Sequence, residues 1–122
     1  MLRTGSRLIV IGLGLGLAVG ACKRDPAAAP PCGAVGSKLL VIARNNLDGG
    51  KAQHDDTTRR AVLAQLPAMR DALVHACEDT RWSEGVRRCM VAAVDHSAFE
   101  ACRAQLTDAQ RQALERRGSG SR

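Results

Sequence analysis

Apolar and polar positions divide the chain into an apolar N-terminal run, a proline-rich stretch and a set of amphipathic segments. Residues 8–21, LIVIGLGLGLAVGA, are uncharged and almost wholly apolar. Residues 23–31, KRDPAAAPP, follow with three prolines and little apolar surface. From residue 32 onward, apolar residues recur every three or four positions, which is typical of amphipathic helices. The pattern predicts an N-terminal leader, a linker and one short helical domain.

The first predicted helix is bounded by a capping serine and a pair of glycines. Ser37 is expected to cap this helix, which then runs to about Leu47. Asp48, Gly49 and Gly50 stop it, and residues 49–56 are expected to form a polar loop.

The second predicted helix begins near Asp56 or Thr57 and contains a proline. Its apolar stripe consists of Val62, Leu66, Met69, Leu73 and Ala76 with Cys77. Pro67 removes one backbone donor, but the stripe stays in phase on both sides of it. We therefore expect a kink or a restart of the helix at Pro67, and no domain boundary there.

Three shorter helices are predicted from capping residues at their starts. Ser83 is expected to cap the third helix, with Glu84 in its first turn, and Ser97 with Glu100 and Thr107 with Gln110 are expected to form capping boxes for the fourth and fifth. The apolar faces are Val86, Cys89, Met90 and Ala93 in the third helix, and Phe99, Cys102 and Leu106 in the fourth. Trp82 is expected to cover the entrance of the third helix. Gly118 is expected to end the fifth, leaving residues 118–122 as a flexible tail.

Composition favours helix-on-helix packing over a β fold. The chain has one Trp, one Phe and no Tyr, so its core must consist of Leu, Val, Ala and Met. β-type alternation never extends beyond a few residues. We therefore predict an all-α fold, with residues 32–117 forming a small disulfide-stapled bundle of four to five short helices.

The N-terminal leader has the features of a secretory signal peptide. Residues 1–7 carry Arg3 and Arg7 and no acidic residue, and they precede the apolar run of residues 8–21. That run is short for a membrane span, which needs about 20 apolar residues. Removal of residues 1–21 lowers the formal charge of the chain from +6 to +4.

The end of the leader, Val19-Gly20-Ala21-Cys22, resembles a bacterial lipobox. The resemblance implies that Cys22 carries a diacylglycerol on its thiol and that cleavage occurs after Ala21. In that family, an Asp after the lipidated cysteine favours retention in the inner membrane. Lys23 occupies that position here, which favours the outer membrane. Ordinary secretory cleavage after Ala21 is the alternative, and it would leave an unpaired thiol at the mature N-terminus.

Residues 22–31 then form the lipidated cysteine and a flexible tether. Proline-rich linkers are extended, at about 3.1 Å per residue, so nine residues reach roughly 28 Å. The tether would hold the domain at a membrane surface facing the periplasm or the cell exterior.

The remaining four cysteines imply two disulfides in an exported protein. We prefer Cys32–Cys77 with Cys89–Cys102, since each pair joins positions that meet in an antiparallel helical hairpin. Cys77–Cys89 with Cys32–Cys102 is the rival pairing, since Cys77 and Cys89 also flank a turn evenly. The segment C-x4-WSxxxRxC at residues 77–89 resembles small four-cysteine lipoproteins of proteobacteria, and this resemblance implies no activity.

Candidate chemistry in the mature chain is sparse. It contains no CxxC, HExxH or GxSxG motif and no phosphate-binding glycine loop, so no cofactor and no catalytic residue is predicted. Scattered basic residues without aromatic stacking partners give nucleic-acid binding little support. Arg87 and Arg88 are the candidates for partner binding.

The sequence therefore predicts a lipid-anchored, non-enzymatic binding or structural module, with an envelope protein or polymer as partner. The alternative is a small envelope metal-binding protein or enzyme. Its candidate residues are His54, Asp55, Asp56, His75 and His96, because imidazole and carboxylate groups ligate metals and transfer protons.

Overall fold

The computed structural model describes residues 28–49 and 55–120. In these residues five helices follow one another without a strand, which confirms the all-α class. They are α1 (Cys32–Gly49), α2 (Asp56–Asp79), α3 (Glu84–Ala92), α4 (His96–Arg103) and α5 (Asp108–Ser119). None of these described helices combines the length and the apolar character that crossing a bilayer requires.

Helix α1 starts five residues before the predicted cap. Its first residue is Cys32, and the Ala34 N–H donates to the Pro31 carbonyl at 3.0 Å. Ser37 lies inside the helix, where its hydroxyl donates to the Gly33 carbonyl at 3.1 Å. A serine hydroxyl bonded to the carbonyl four residues earlier is compatible with a helix interior. The predicted Ser37 cap is therefore wrong, and the helix also continues past Leu47.

Helix α2 begins where the sequence predicted and passes through its proline. The Asp55 carboxylate caps it by accepting from the Thr58 N–H at 2.6 Å. Pro67 lies inside one helix of 24 residues, so the predicted restart is wrong. Pro67 removes one backbone hydrogen bond. Leu66 and Leu73, on the two sides of Pro67, are both buried, so both halves of the helix turn an apolar face to the interior.

The caps of α3 and α5 are confirmed. The Ser83 hydroxyl accepts from the Val86 N–H at 3.2 Å. Thr107 and Gln110 form a reciprocal capping box, with backbone-to-side-chain distances of 3.2 and 3.0 Å. Helix α5 continues through Gly118 to Ser119, beyond its predicted end.

Helix α4 has a different cap from the one predicted. The Asp95 carboxylate accepts from the Ala98 N–H at 2.8 Å, and the helix begins at His96. Ser97 is therefore already helical, and the predicted Ser97–Glu100 capping box is wrong. Asp95 takes the position because it is extended and its carboxylate is among the strongest capping groups.

Helices α1 and α2 form an antiparallel pair to which the others attach. The start of α1 is bonded to the end of α2 through Cys32 and Cys77, and the Asp48–Arg59 ion pair joins their opposite ends. Helix α5 packs on α2, α3 packs on α1, and α4 packs on α3 and α1. The shared core consists of Val35, Ile42, Leu73, Ala76, Cys77, Trp82, Val86, Met90, Ala93, Phe99, Cys102 and Leu106.

Two disulfides fasten this arrangement. The Sγ atoms of Cys32 and Cys77 are bonded at 1.99 Å, as are those of Cys89 and Cys102. The first bridge joins α1 to α2 and the second joins α3 to α4. These two bridges are the pairs that the hairpin geometry favoured, and the rival pairing is not the one in the structure.

We predict that Gly36→Ala destabilises the domain while Gly33→Ala does not. A Cβ at Gly36 would lie 2.6 Å from Val74 Cγ2 and 2.9 Å from Arg70 Cγ, so these side chains or the two helices would have to shift. Overpacking of this kind costs about 1–3 kcal/mol. A Cβ at Gly33 would meet nothing within 4 Å. Denaturant unfolding measures both variants, and equal stabilities would contradict the close approach of the two helices.

We predict that the Cys32–Cys77 bridge stabilises the domain more than the Cys89–Cys102 bridge. The bridges close loops with sequence separations of 45 and 13 residues. Loop-closure entropy then gives about 4 and about 3 kcal/mol, respectively. Two variants are compared with the wild type, one with Cys32 and Cys77 replaced by alanine and one with Cys89 and Cys102 replaced by alanine. Chemical denaturation measures how much each replacement lowers the free energy of unfolding. A larger loss for the shorter loop would show that packing, and not chain entropy, sets the order.

Candidate functional site

The residues considered for metal binding or catalysis lie apart from one another in the described structure. His75 is exposed on α2, and His96 is exposed at the first position of α4. Asp55 caps α2, and Asp56 lies in its first turn, where a negative charge interacts favourably with the helix dipole. His54 lies outside the described residues. Within the described residues, no three His, Cys, Asp or Glu side chains come together as a group able to hold a metal ion.

Arg87 and Arg88 have different surroundings, although they are adjacent on α3. Arg88 is exposed and forms an ion pair with Glu84, one turn earlier. Arg87 is half-buried, and its Nη1 donates to the Pro30 carbonyl at 2.7 Å. A charge change at Arg87 therefore acts first on the segment that precedes α1. This makes Arg87 a poor candidate for the exposed binding position that the sequence suggested.

An apolar cavity of about 280 Å³ opens beside helices α1, α2, α4 and α5. Its apolar lining consists of Leu39, Met69, Ala72, Leu73, Phe99 and Leu114. Charged groups lie at its edge, among them the Glu100–Arg103 ion pair at 2.9 Å. The cavity forms because α5 packs on α2 while α4 packs on α1 and α3, which leaves a gap between α4 and α5.

A second cavity of about 270 Å³ continues along α1 and α2 toward the Asp48–Arg59 end. It is lined mainly by Ile42, Ala43, Leu47, Val62 and Leu66. Both cavities share Leu39, Met69 and His96. We call the two cavities together the apolar groove.

Met69 is the position at which the sequence pattern and the structure diverge most. Its spacing puts it in the apolar stripe of α2, but 47% of it is exposed in the groove. Val62 of the same stripe is only half-buried, while Leu66 and Leu73 are buried. Helical spacing identifies the face on which Met69 lies. It does not reveal that the neighbouring helices leave part of that face uncovered.

The groove offers apolar contact area and few reactive groups. His96 is its one imidazole, beside carboxylates of Glu100 and Glu115 and the guanidinium of Arg103. The four described cysteines are all in disulfides and supply no thiolate. The lining of the groove is therefore mainly apolar, with His96, Glu100, Arg103 and Glu115 as its polar members in the first cavity.

Comparison with protein-family models, with curated proteins and with solved structures gives no match to this chain.

We predict that Met69→Ala leaves the stability of the domain nearly unchanged, whereas Leu73→Ala lowers it strongly. Met69 is half exposed, but Leu73, one turn further along the same face, is only 4% exposed. Truncation of a buried Leu costs about 2–5 kcal/mol. Urea unfolding of the two variants provides the comparison. A loss at Met69 as large as that at Leu73 would mean that the groove is closed over Met69 in solution.

Proposed function

We propose that the chain is a bacterial lipoprotein held in the cell envelope by acyl groups on Cys22. The observation that carries this proposal is the cysteine count. Of the five cysteines in the chain, four form the two disulfides. The fifth, Cys22, is the last residue of the lipobox-like segment Val19-Gly20-Ala21-Cys22 and directly follows the apolar leader. Lipidation gives this odd cysteine a chemical role.

The physical chemistry of such an anchor supports stable attachment to a membrane. Each buried methylene contributes about 0.8 kcal/mol, and a single acyl chain binds only marginally. A diacylglycerol on the thiol together with an acylated amine supplies more than one chain on a single residue. Two chains or more hold a domain of this size at the bilayer surface. Lys23, by the sorting pattern of the family, favours the outer membrane.

The helical domain then acts as a non-enzymatic binding or structural module for an envelope protein or polymer. Three features support this. The described cysteines are bound in disulfides, Asp55 is used as a helix cap, and His75 and His96 are exposed on different helices. Catalysis instead needs a nucleophile, an acid–base pair or a metal within mutual reach.

We predict that Cys22→Ser abolishes acylation and membrane association. The thiol is the attachment point of the diacylglycerol, and a serine hydroxyl does not replace it in lipoprotein processing. Intact-mass measurement of protein extracted from membranes detects the acyl groups directly. Lys23→Asp is the matched control, because it alters the adjacent residue and leaves the thiol in place, so acylation is retained. A mature N-terminus other than acylated Cys22 in the wild-type protein would refute the proposal.

A further inference from the structure

We propose that Cys89 is a thiol–disulfide exchange site, at which an incoming dithiol opens the Cys89–Cys102 bridge while the Cys32–Cys77 bridge stays closed. The proposal rests on contacts within the described helices and does not depend on the acylation of Cys22. It gives the bridge between α3 and α4 a chemical role in addition to its structural one.

The two sulfurs of this bridge differ in how they can be reached from solvent. Cys102 is only 2% exposed, so an incoming group does not reach its sulfur. Cys89 is half-buried and packs at the edge of the core. The exposed side chain of Gln105 already reaches it, since Gln105 Nε2 donates to Cys89 Sγ at 3.5 Å. Because access selects the sulfur that a thiolate attacks, the attack falls on Cys89.

The exchange balances as two successive displacements at sulfur. The first thiol of the dithiol loses its proton, and its sulfur bonds to Cys89 Sγ as the Cys89–Cys102 bond breaks. Cys102 leaves as a thiolate and takes up a proton. The second thiolate of the dithiol then attacks the dithiol's own sulfur in the mixed disulfide and releases Cys89, which is also protonated. The bridge has then gained two electrons and two protons, and the dithiol has become a disulfide.

The surroundings of Cys102 suit the thiol that this reaction creates. Cys102 Sγ lies 3.3 Å from the carbonyl oxygen of Ala98, one turn earlier in α4. A disulfide sulfur carries no hydrogen, so this carbonyl gains a donor from Cys102 only when the bridge is open. Both residues belong to α4, so the hydrogen bond can form even where α4 shifts relative to α3. The opened bridge therefore provides a partner for its buried thiol.

The Cys32–Cys77 bridge joins two helices that stay together without it. Helices α1 and α2 have 18 and 24 residues, approach closely at Gly36 and are joined at their other ends by the Asp48–Arg59 ion pair. If a thiol breaks this bridge, the sulfurs of Cys32 and Cys77 remain side by side. An intramolecular attack by the released thiolate is then strongly favoured, and the bridge closes again by expelling the incoming thiol.

Helix α4 is held less firmly once its bridge is open. It has 8 residues, and isolated helices shorter than about 12–15 residues are marginal in water. It packs on α3 and α1, and it supplies His96 and Phe99 to the lining of the first cavity of the apolar groove. Exchange at Cys89 therefore loosens one wall of that cavity.

Selective reduction tests the choice of bridge. The full chain with Cys22→Ser contains the four bridged cysteines and no other. We would treat the folded protein with dithiothreitol, stop the reaction with acid, unfold the protein in the presence of a maleimide and map the labelled thiols by mass spectrometry. Cys89 and Cys102 should become labelled about tenfold faster than Cys32 and Cys77. Equal rates for the two pairs, or faster opening of Cys32–Cys77, would overturn the proposal.

Two further variants in the Cys22→Ser chain test which sulfur is attacked. Cys102→Ala leaves Cys89 as a free thiol, and Cys89→Ala leaves Cys102 as one. Each is treated with oxidised glutathione, which forms a mixed disulfide with an accessible thiol. Cys89 should react about tenfold faster than Cys102, because Cys102 is buried. The near-ultraviolet spectrum of the buried Trp82 shows that both variants keep the native core, and equal rates in the two folded variants would refute the assignment of Cys89.

Amide hydrogen exchange measures the loosening of α4. With the Cys89–Cys102 bridge opened by dithiothreitol, the amides of α4 should exchange faster than in the oxidised protein, while those of α2 keep their protection. The α2 amides are the internal control for a general loss of structure. Unchanged protection in α4 would contradict the effect of the bridge on the apolar groove.

Discussion

The disulfide between Cys32 and Cys77 is the contact on which the rest of the structure depends. It fastens the first residue of α1 to the end of α2, at the same end where Gly36 allows the two helices to approach closely. The core is nearly without aromatic residues, since the chain has one Trp and one Phe. A short chain with such a core gains little from burial alone, and covalent links supply stability that packing does not. Helices α3 and α5 then attach to this fixed pair.

The segment from Cys77 to Cys89 is explained by the same constraint. Cys77 and Cys89 each belong to a disulfide, and Trp82 is only 3% exposed, within the core. Ser83 caps α3, and Arg87 holds Pro30. Each fixed position of the C-x4-WSxxxRxC pattern therefore has a role in building the domain. The pattern describes how the start of α3 is joined to α1, α2 and α4.

The regular parts of the fold could be predicted because they depend on local signals. Apolar spacing located the five helices, and Ser83 and Thr107 were correct caps because no better capping residue competes with them. The caps predicted at Ser37 and Ser97 are wrong, since serine is also accommodated inside a helix. Pro31 at the start of α1 and Asp95 at the start of α4 took the terminal positions instead.

Other features depend on contacts between distant parts of the chain and could not be predicted from local signals. The Arg87–Pro30 hydrogen bond joins residues 57 positions apart, and no local pattern encodes it. The exposure of Met69 arises because α4 and α5 leave a gap beside α2. The disulfide pairing could be predicted only in part from the sequence. Hairpin geometry favoured it, but the sequence allowed a rival that only the three-dimensional arrangement of α1 and α3 excludes.

The Arg87–Pro30 contact and the Cys32–Cys77 disulfide fix the start of α1 with different strength. A hydrogen bond from a charged donor contributes about 1.5–3 kcal/mol, so the contact would be open for roughly 1–7% of the time. The covalent bond between Cys32 and Cys77 persists when that contact opens, so the first residue of α1 stays joined to the end of α2.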